Sequence, residues 1–171
     1  MSDLQPKIYV ACLAAYNDGY LHGAWLDADQ DIDSLHECIQ KILLTSPMVG
    51  VGEYAIHDYE DFGELSIHEY DSLEKISSWA RFIVEHGKLG TALLDYLSGD
   101  IDRATTMIEE CYHGDHRSRA DFVEDFLEET GTEIPEHLHF YIDYQAMARD
   151  WFISDFLSLD VDNEVHVFSQ Y

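Results

Sequence analysis

"KIYVACLAAYNDGYLHGAWL" runs from residue 7 to residue 26 and holds the signals for the first strands. The stretch 7–15 is rich in strand-forming residues and leads into Tyr16-Asn17-Asp18-Gly19. A second apolar run, "YLHGAWL", fills 20–26. Asn, Asp and Gly tolerate positive φ, so their place between two apolar runs predicts a hairpin. Beyond it, "SLHECIQKILL" (34–44) sets Leu35, Ile39, Ile42 and Leu43 at helical spacing. "TSPMVGVG" (45–52) reads as a loop, and "EYAIHDY" (53–59) as a third strand. The first third is therefore predicted to be a small β-sheet with one helix.

The middle reads as helical. Leu73, Ile76, Ala80 and Ile83 line one face of "SLEKISSWARFIVEHG", with Gly87 as the stop. Two short helices follow, over "TALLDYLSG" (91–99) and up to Cys111, the latter with Ile101, Ala104 and Ile108 on its inner stripe. In the last third, "RADFVEDFLEETG" (119–131) and "PEHLHFYIDYQAMARDWF" (135–152) both read as helices, the second opening at Pro135. The chain closes in a hairpin that turns near Asp162-Asn163. The predicted fold is α+β: an elongated chain of three small lobes, 1–69, 70–111 and 112–171. The first is α+β, the second helical, the third two helices with a β-hairpin.

Of the 171 residues, 46% are apolar and 22 are aromatic (8 Phe, 11 Tyr, 3 Trp), enough to bury a core. No apolar run approaches the roughly 20 residues that span a bilayer. "MSDLQPK" (1–7) has no basic region followed by an apolar one, so no signal peptide is expected. Cys12, Cys38 and Cys111 are odd in number and far apart, and read as reduced thiols of a cytoplasmic protein.

Charge sets the chain apart. Thirty-five acids against nine bases give −26. Residues 1–69 carry 13 acids and 2 bases, 70–111 carry 8 and 4, and 112–171 carry 14 and 3, so the charge is no tail. Such a chain is not expected to bind nucleic acid or an anionic membrane by itself. Its complement is a basic surface or a cation.

"GAWLDADQDIDSLHEC" (23–38) holds four alternating aspartates, Asp27, Asp29, Asp31 and Asp33. Counted as a calcium loop from Asp27, the position needing Gly holds Ile32 and the position needing Glu holds Cys38, so the motif fails. A catalytic carboxylate pair lacks the hydrophobic pocket that would split its two pKa values. The local reading is a capping box, Ser34-x-x-Glu37, with aspartates at the positive end of the next helix. Among the ten histidines the best metal cluster is Cys111, His113, Asp115 and His116, but no second ligand pair accompanies it, and His137 and His139 would diverge on a helix. No nucleophile elbow, P-loop or dinucleotide fingerprint is present. No metal, cofactor or catalytic residue is assigned.

The sharpest feature is residues 121–129. Asp121, Glu124, Asp125, Glu128 and Glu129 fall within about 140° of a helix at ~100° per residue, and Phe122, Val123, Phe126 and Leu127 fill the rest. Like charges stand at i,i+4 with only Arg117 and Arg119 nearby, each such pair unfavourable by roughly 0.2–0.5 kcal/mol. Five charges over eight steps of ~1.5 Å give about one per 2.4 Å, of the same order as the one per ~1.7 Å of duplex DNA. A helix that is merely well solvated is the plain alternative. Further acids extend the pattern at Asp58, Glu60, Asp61 and Glu64, at Glu69, Asp71 and Glu74, and at Asp160, Asp162 and Glu164.

Four stretches in order resemble the ArdA antirestriction family: "IYVACLAAYNDGYLHGAWL" (8–26), "EYAIHDYE" (53–60), "FLEETG" (126–131) and "YIDYQAMARD" (141–150). The middle, about 70–111, carries little of the resemblance. The resemblance implies a cofactor-free, non-enzymatic mimic of B-form DNA that pairs as a homodimer. It implies occupation of the DNA-binding groove of type I restriction–modification enzymes, chiefly the specificity-plus-methyltransferase core. Glu128, Glu129 and Gly131 carry over as antirestriction-motif positions, and Tyr141, Tyr144, Arg149 and Asp150 fall near the implied dimer contact. The expected mimic surface comprises Asp27, Asp29, Asp31, Asp58, Glu60, Asp61 and Glu64, with Asp121, Glu124, Asp125, Glu128 and Glu129. Three rivals stand beside this reading: a small metal- or carboxylate-dependent enzyme, a chain adapted to high salt, and a mimic aimed at another DNA-binding protein.

Overall fold

The computed structural model of the protein describes residues 3–49 and 52–170. Gly50 and Val51, at the end of the predicted 45–52 loop, lie outside them, as do the first two residues and the last. The fold is α+β and divides into two compact units, Met1–Ile101 and Asp102–Tyr171.

The first unit is built on a three-stranded antiparallel sheet of β1 (Lys7–Cys12), β2 (Gly23–Asp27) and β3 (Tyr54–Glu60), in the order β2-β1-β3. The connection between β1 and β2 is not the tight hairpin the sequence suggests. One helical segment, α1 (Leu13–Asn17), intervenes, because Leu13, Ala14 and Ala15 are good helix formers and no Gly or Pro comes before Gly19. Gly19 takes the expected positive φ of 87° just after it. Ile8 and Val10 are fully buried on the inner face, beneath α2 (Ile32–Leu44). The buried positions of α2 are Leu35, Ile39, Ile42 and Leu43, as the spacing requires. Its cap differs from expectation. Asp31 is the N-cap and accepts the Ser34 backbone N–H at 2.9 Å, so the helix starts before Ser34, and the Ser34–Glu37 box does not form. Two cap signals lie three residues apart, and the one that brings Ile32 into the helix wins.

The unit is completed by α3 (Leu73–Tyr96), capped by Ser72. Leu73, Ile76, Ala80 and Ile83 are all buried. Gly87, at φ 60° and ψ −141°, breaks the helix where the sequence places its stop, and a second helical stretch follows directly. Trp79 donates its indole N–H to the Gly99 carbonyl at 2.8 Å and lies where a Cβ on Gly99 would sit.

The second unit opens at Asp102, within α4 (Ile101–Thr106), and continues in one π-helical turn, Met107–Cys111. Then come β4 (Tyr112–His116), α5 (Arg119–Glu129), a 3₁₀ segment (Glu136–Tyr141), α6 (Tyr144–Ser154), β5 (Phe156–Val161) and β6 (Glu164–Ser169). The sheet order is β4-β6-β5, antiparallel throughout. Asp162 and Asn163, both at positive φ (51° and 67°), make the two-residue turn of the predicted hairpin. The core is Phe122, Val123, Ala148 and Val167. Around it, Phe152 and Phe156 meet the Phe122 ring edge to face, Trp151 and Phe156 meet Phe126 the same way, and Trp151 stacks on Phe156. The helix predicted over 135–152 is two pieces, because Asp143 caps a new helix by accepting the Ala146 N–H at 3.0 Å.

The thiols of Cys12 and Cys111 are buried and that of Cys38 half-buried, none of them disulfide-bonded. No helix among the described residues is long and apolar enough to cross a membrane.

Candidate functional site: the carboxylate surface

The candidate site is a surface, and its chemistry depends on which carboxylates are already engaged within the fold. On α5, Ser118 caps the N-terminus by accepting the Asp121 N–H at 3.0 Å. Phe122 and Val123 are buried, which turns Glu124, Asp125, Glu128 and Glu129 outward. Asp121 differs from those four. Arg117 donates Nε–H and Nη2–H to its two oxygens at 3.1 and 3.0 Å, its side chain is only 24% exposed, and the paired guanidinium holds its carboxyl below the ordinary range. Asp125 faces His116 Nδ1 at 3.1 Å. Arg119 turns away: its guanidinium lies 5.0 Å from the Phe152 ring centroid and its Nε–H meets Ser158 Oγ at 2.8 Å. The side chains of Glu124, Glu128 and Glu129 make no hydrogen bond or ion pair among the described residues.

The end of this row is a backbone device. Thr130 is the C-cap, and Gly131 stands in the left-handed region at φ 71°. Its N–H meets the Glu128 carbonyl at 3.1 Å, and the Thr132 N–H meets the Leu127 carbonyl at 2.9 Å, the double closure of a Schellman stop. Gly131 therefore has a conformational reason to follow Glu128 and Glu129.

In the first unit, Asp27, Asp29 and Asp31 are exposed around the β2–α2 turn. Asp31 is occupied by the cap, and the Ser34 N–H lowers its pKa. Asp58 and Glu60 are exposed on β3. Asp61, exposed at φ 62°, accepts the Gln5 N–H at 3.0 Å, while Glu64 leaves its carboxylate exposed and gives its backbone N–H to Asp95 at 3.0 Å. Burial pushes Asp95 up, although the Glu64 N–H works against it. Asp71 lines a cleft with Leu13, Glu53, Tyr54 and Tyr70, but it is held low by the His68 N–H and by Lys75 at 2.9 Å. That is the wrong direction for a general acid near neutral pH.

Cys111, His113 and His116 serve the fold of the second unit. The Cys111 thiol is buried beside the Thr106 carbonyl, and His113 meets Ser169 Oγ at 2.6 Å among the rings of Phe122, Phe126 and Phe156. No group of three or more His, Cys, Asp or Glu among the described residues is placed to hold a metal ion. On the 3₁₀ segment and α6, Phe140 (96% exposed) and Tyr141 (84%) are bare, and Tyr144 packs on the core. Arg149 and Asp150 are exposed, 3.9 Å apart.

Fold and surface thus define an acidic α+β protein that spends some carboxylates on its helix ends and leaves others free. A family model described as antirestriction protein (ArdA) matches residues 8–163 of the 171. The chain belongs to the ArdA antirestriction family, which is not a family of enzymes. The match spans all four stretches that carry the resemblance and also the middle region. A comparison with curated proteins gave no match.

Proposed function

We propose that this protein is a non-enzymatic, cytoplasmic inhibitor that imitates B-form DNA and occupies the DNA-binding groove of type I restriction–modification enzymes, chiefly their specificity-plus-methyltransferase core. The carrying observation is the run Glu124, Glu128 and Glu129: exposed carboxylates on one helix face, with no hydrogen bond or ion pair to them among the described residues; the field of Arg117 reaches Glu124. With −26 spread over both units, binding would release the counterions of a groove lined with Lys and Arg, as DNA does. The bare Phe140 and Tyr141 support a homodimer formed around 138–150, where Tyr141, Arg149 and Asp150 are exposed. In a cell, such an inhibitor shields unmodified plasmid DNA after transfer.

The test is competition. A DNA-free type I methyltransferase core is titrated with the protein at low ionic strength and challenged with duplex, while light scattering reports the protein's mass. Mutually exclusive binding that weakens steeply with salt is expected. Failure to bind the core, or binding alongside DNA, overturns the reading.

A further inference from the structure

The outer face of the first sheet carries a feature that charge alone does not explain. Directly opposed residues of antiparallel strands share a face. In register, Trp25 on β2, Tyr9 on β1 and Asp58 on β3 form one row, and Asp27, Lys7 and Glu60 form the next. Trp25 is 43% exposed. Its ring meets that of Tyr9 edge to face at 5.6 Å and 62°. Tyr9 is fixed in turn, because its phenol occupies the space above Gly23, where a Cβ would come within 2.9 Å of the ring. Asp27 and Asp58 are exposed. Lys7 sits opposite Asp27 and Glu60, whereas Asp58 has Tyr9 opposite it on β1 and accepts the Tyr59 N–H at Oδ1, 2.8 Å away.

Exposed aromatics on a sheet stack nucleic-acid bases in other proteins. Here a nucleotide's phosphates would meet Asp27, Asp58 and Glu60 on a chain of net charge −26. A cation fits instead. Of the two protein cations, the guanidinium is planar, weakly hydrated and able to stack on a ring while pairing with a carboxylate, and the ammonium is a compact, strongly hydrated point charge. We infer that Trp25 and Tyr9, with Asp27 and Asp58, form a platform for an arginine side chain of the protein partner, so that part of the recognition selects arginine over lysine. The inference rests on the antirestriction reading for the identity of that partner, and on this sheet alone for the preference itself.

Two measurements keep these apart. In the full-length protein, the Trp25 indole ¹H–¹⁵N resonance is followed while arginine amide or lysine amide is added at matched ionic strength, with buried Trp79 as internal reference. A saturable shift of Trp25 with arginine amide, much smaller with lysine amide and reduced in Asp27→Asn/Asp58→Asn, is expected. Equal shifts with the two amides, or none, overturn the platform whatever the target is. Against the methyltransferase core, Trp25→Ala should weaken binding about tenfold without changing the salt dependence, and Trp25→Phe should recover part of the loss. Unchanged affinity in a folded Trp25→Ala variant overturns the platform's role in that complex. Failure of the wild-type protein to bind the core overturns the choice of target and leaves the amide titration to decide the platform.

Discussion

The two acidic stretches, 27–33 and 121–129, look alike in sequence and are used differently. On α5 the acids share one face of a helix whose opposite face is core, so Glu124, Glu128 and Glu129 are turned outward with no ion pair or hydrogen bond among the described residues. Around the β2–α2 turn the acids follow the chain around a corner, and Asp31 is taken by the cap. In both stretches an acid near the start of the helix has a local partner, Ser34 for Asp31 and Arg117 for Asp121. An acid near a helix N-terminus also opposes the positive end of the dipole, so it stabilises the fold while it adds to net charge. The lesson is that a single-signed chain can place part of its charge where the backbone welcomes it, leaving the rest for a partner.

The largest expected effect separates the stretches by binding. Glu124→Gln/Glu128→Gln/Glu129→Gln should weaken binding to the core by more than tenfold and flatten the slope of log K against log salt by about 2–3. Asp27→Asn/Asp29→Asn should flatten it less per charge removed. Equal effects per charge would erase the distinction between helix face and corner. Next is Gly131→Ala, which alters no charge. At φ 71° a Cβ is strained, so the melt should show a loss of about 1 kcal/mol.

A smaller effect tests the cap. Asp31→Ala should lower the melting temperature by a few degrees, whereas Asp31→Asn, which still accepts the Ser34 N–H, should change it little. If both variants melt alike, charge rather than capping governs this position. The smallest effect is that of Arg117→Ala. Because Arg117 lowers the folded-state pKa of Asp121, the pair stabilises the fold above the unfolded carboxyl value near ~3.9, and the gain is lost as pH falls through the lower folded value. The variant should melt about a degree or two below wild type at pH 7 and level with it in acid. A gap that persists in acid would mean Arg117 acts by packing.

Strong local signals were readable in the chain. The stripe Leu35, Ile39, Ile42 and Leu43 repeats at helical period, Gly87 breaks a helical run, and Asp162-Asn163 favours a tight turn; each maps directly onto the fold. Strand β4 was not readable, because "YHGDH" (112–116) has no alternation of apolar residues and is held in the sheet by pairing with β6. The break between Tyr141 and Tyr144 was hidden because Asp143 resembles an ordinary helix residue until its carboxylate is seen to cap. The acidic face of α5 could be drawn from periodicity, but the removal of Asp121 by Arg117 depends on a rotamer that periodicity does not specify.

The stop at Gly131 also works as a ruler. A helix running on from Glu129 would carry the chain ~6 Å further to Glu133, which at ~100° per residue lies ~40° beyond Glu129, between the directions of Phe122 and Phe126. The left-handed glycine ends it instead, at a length fixed by backbone geometry. The length of the acidic helix is thus set by Gly131, a residue that carries no charge itself.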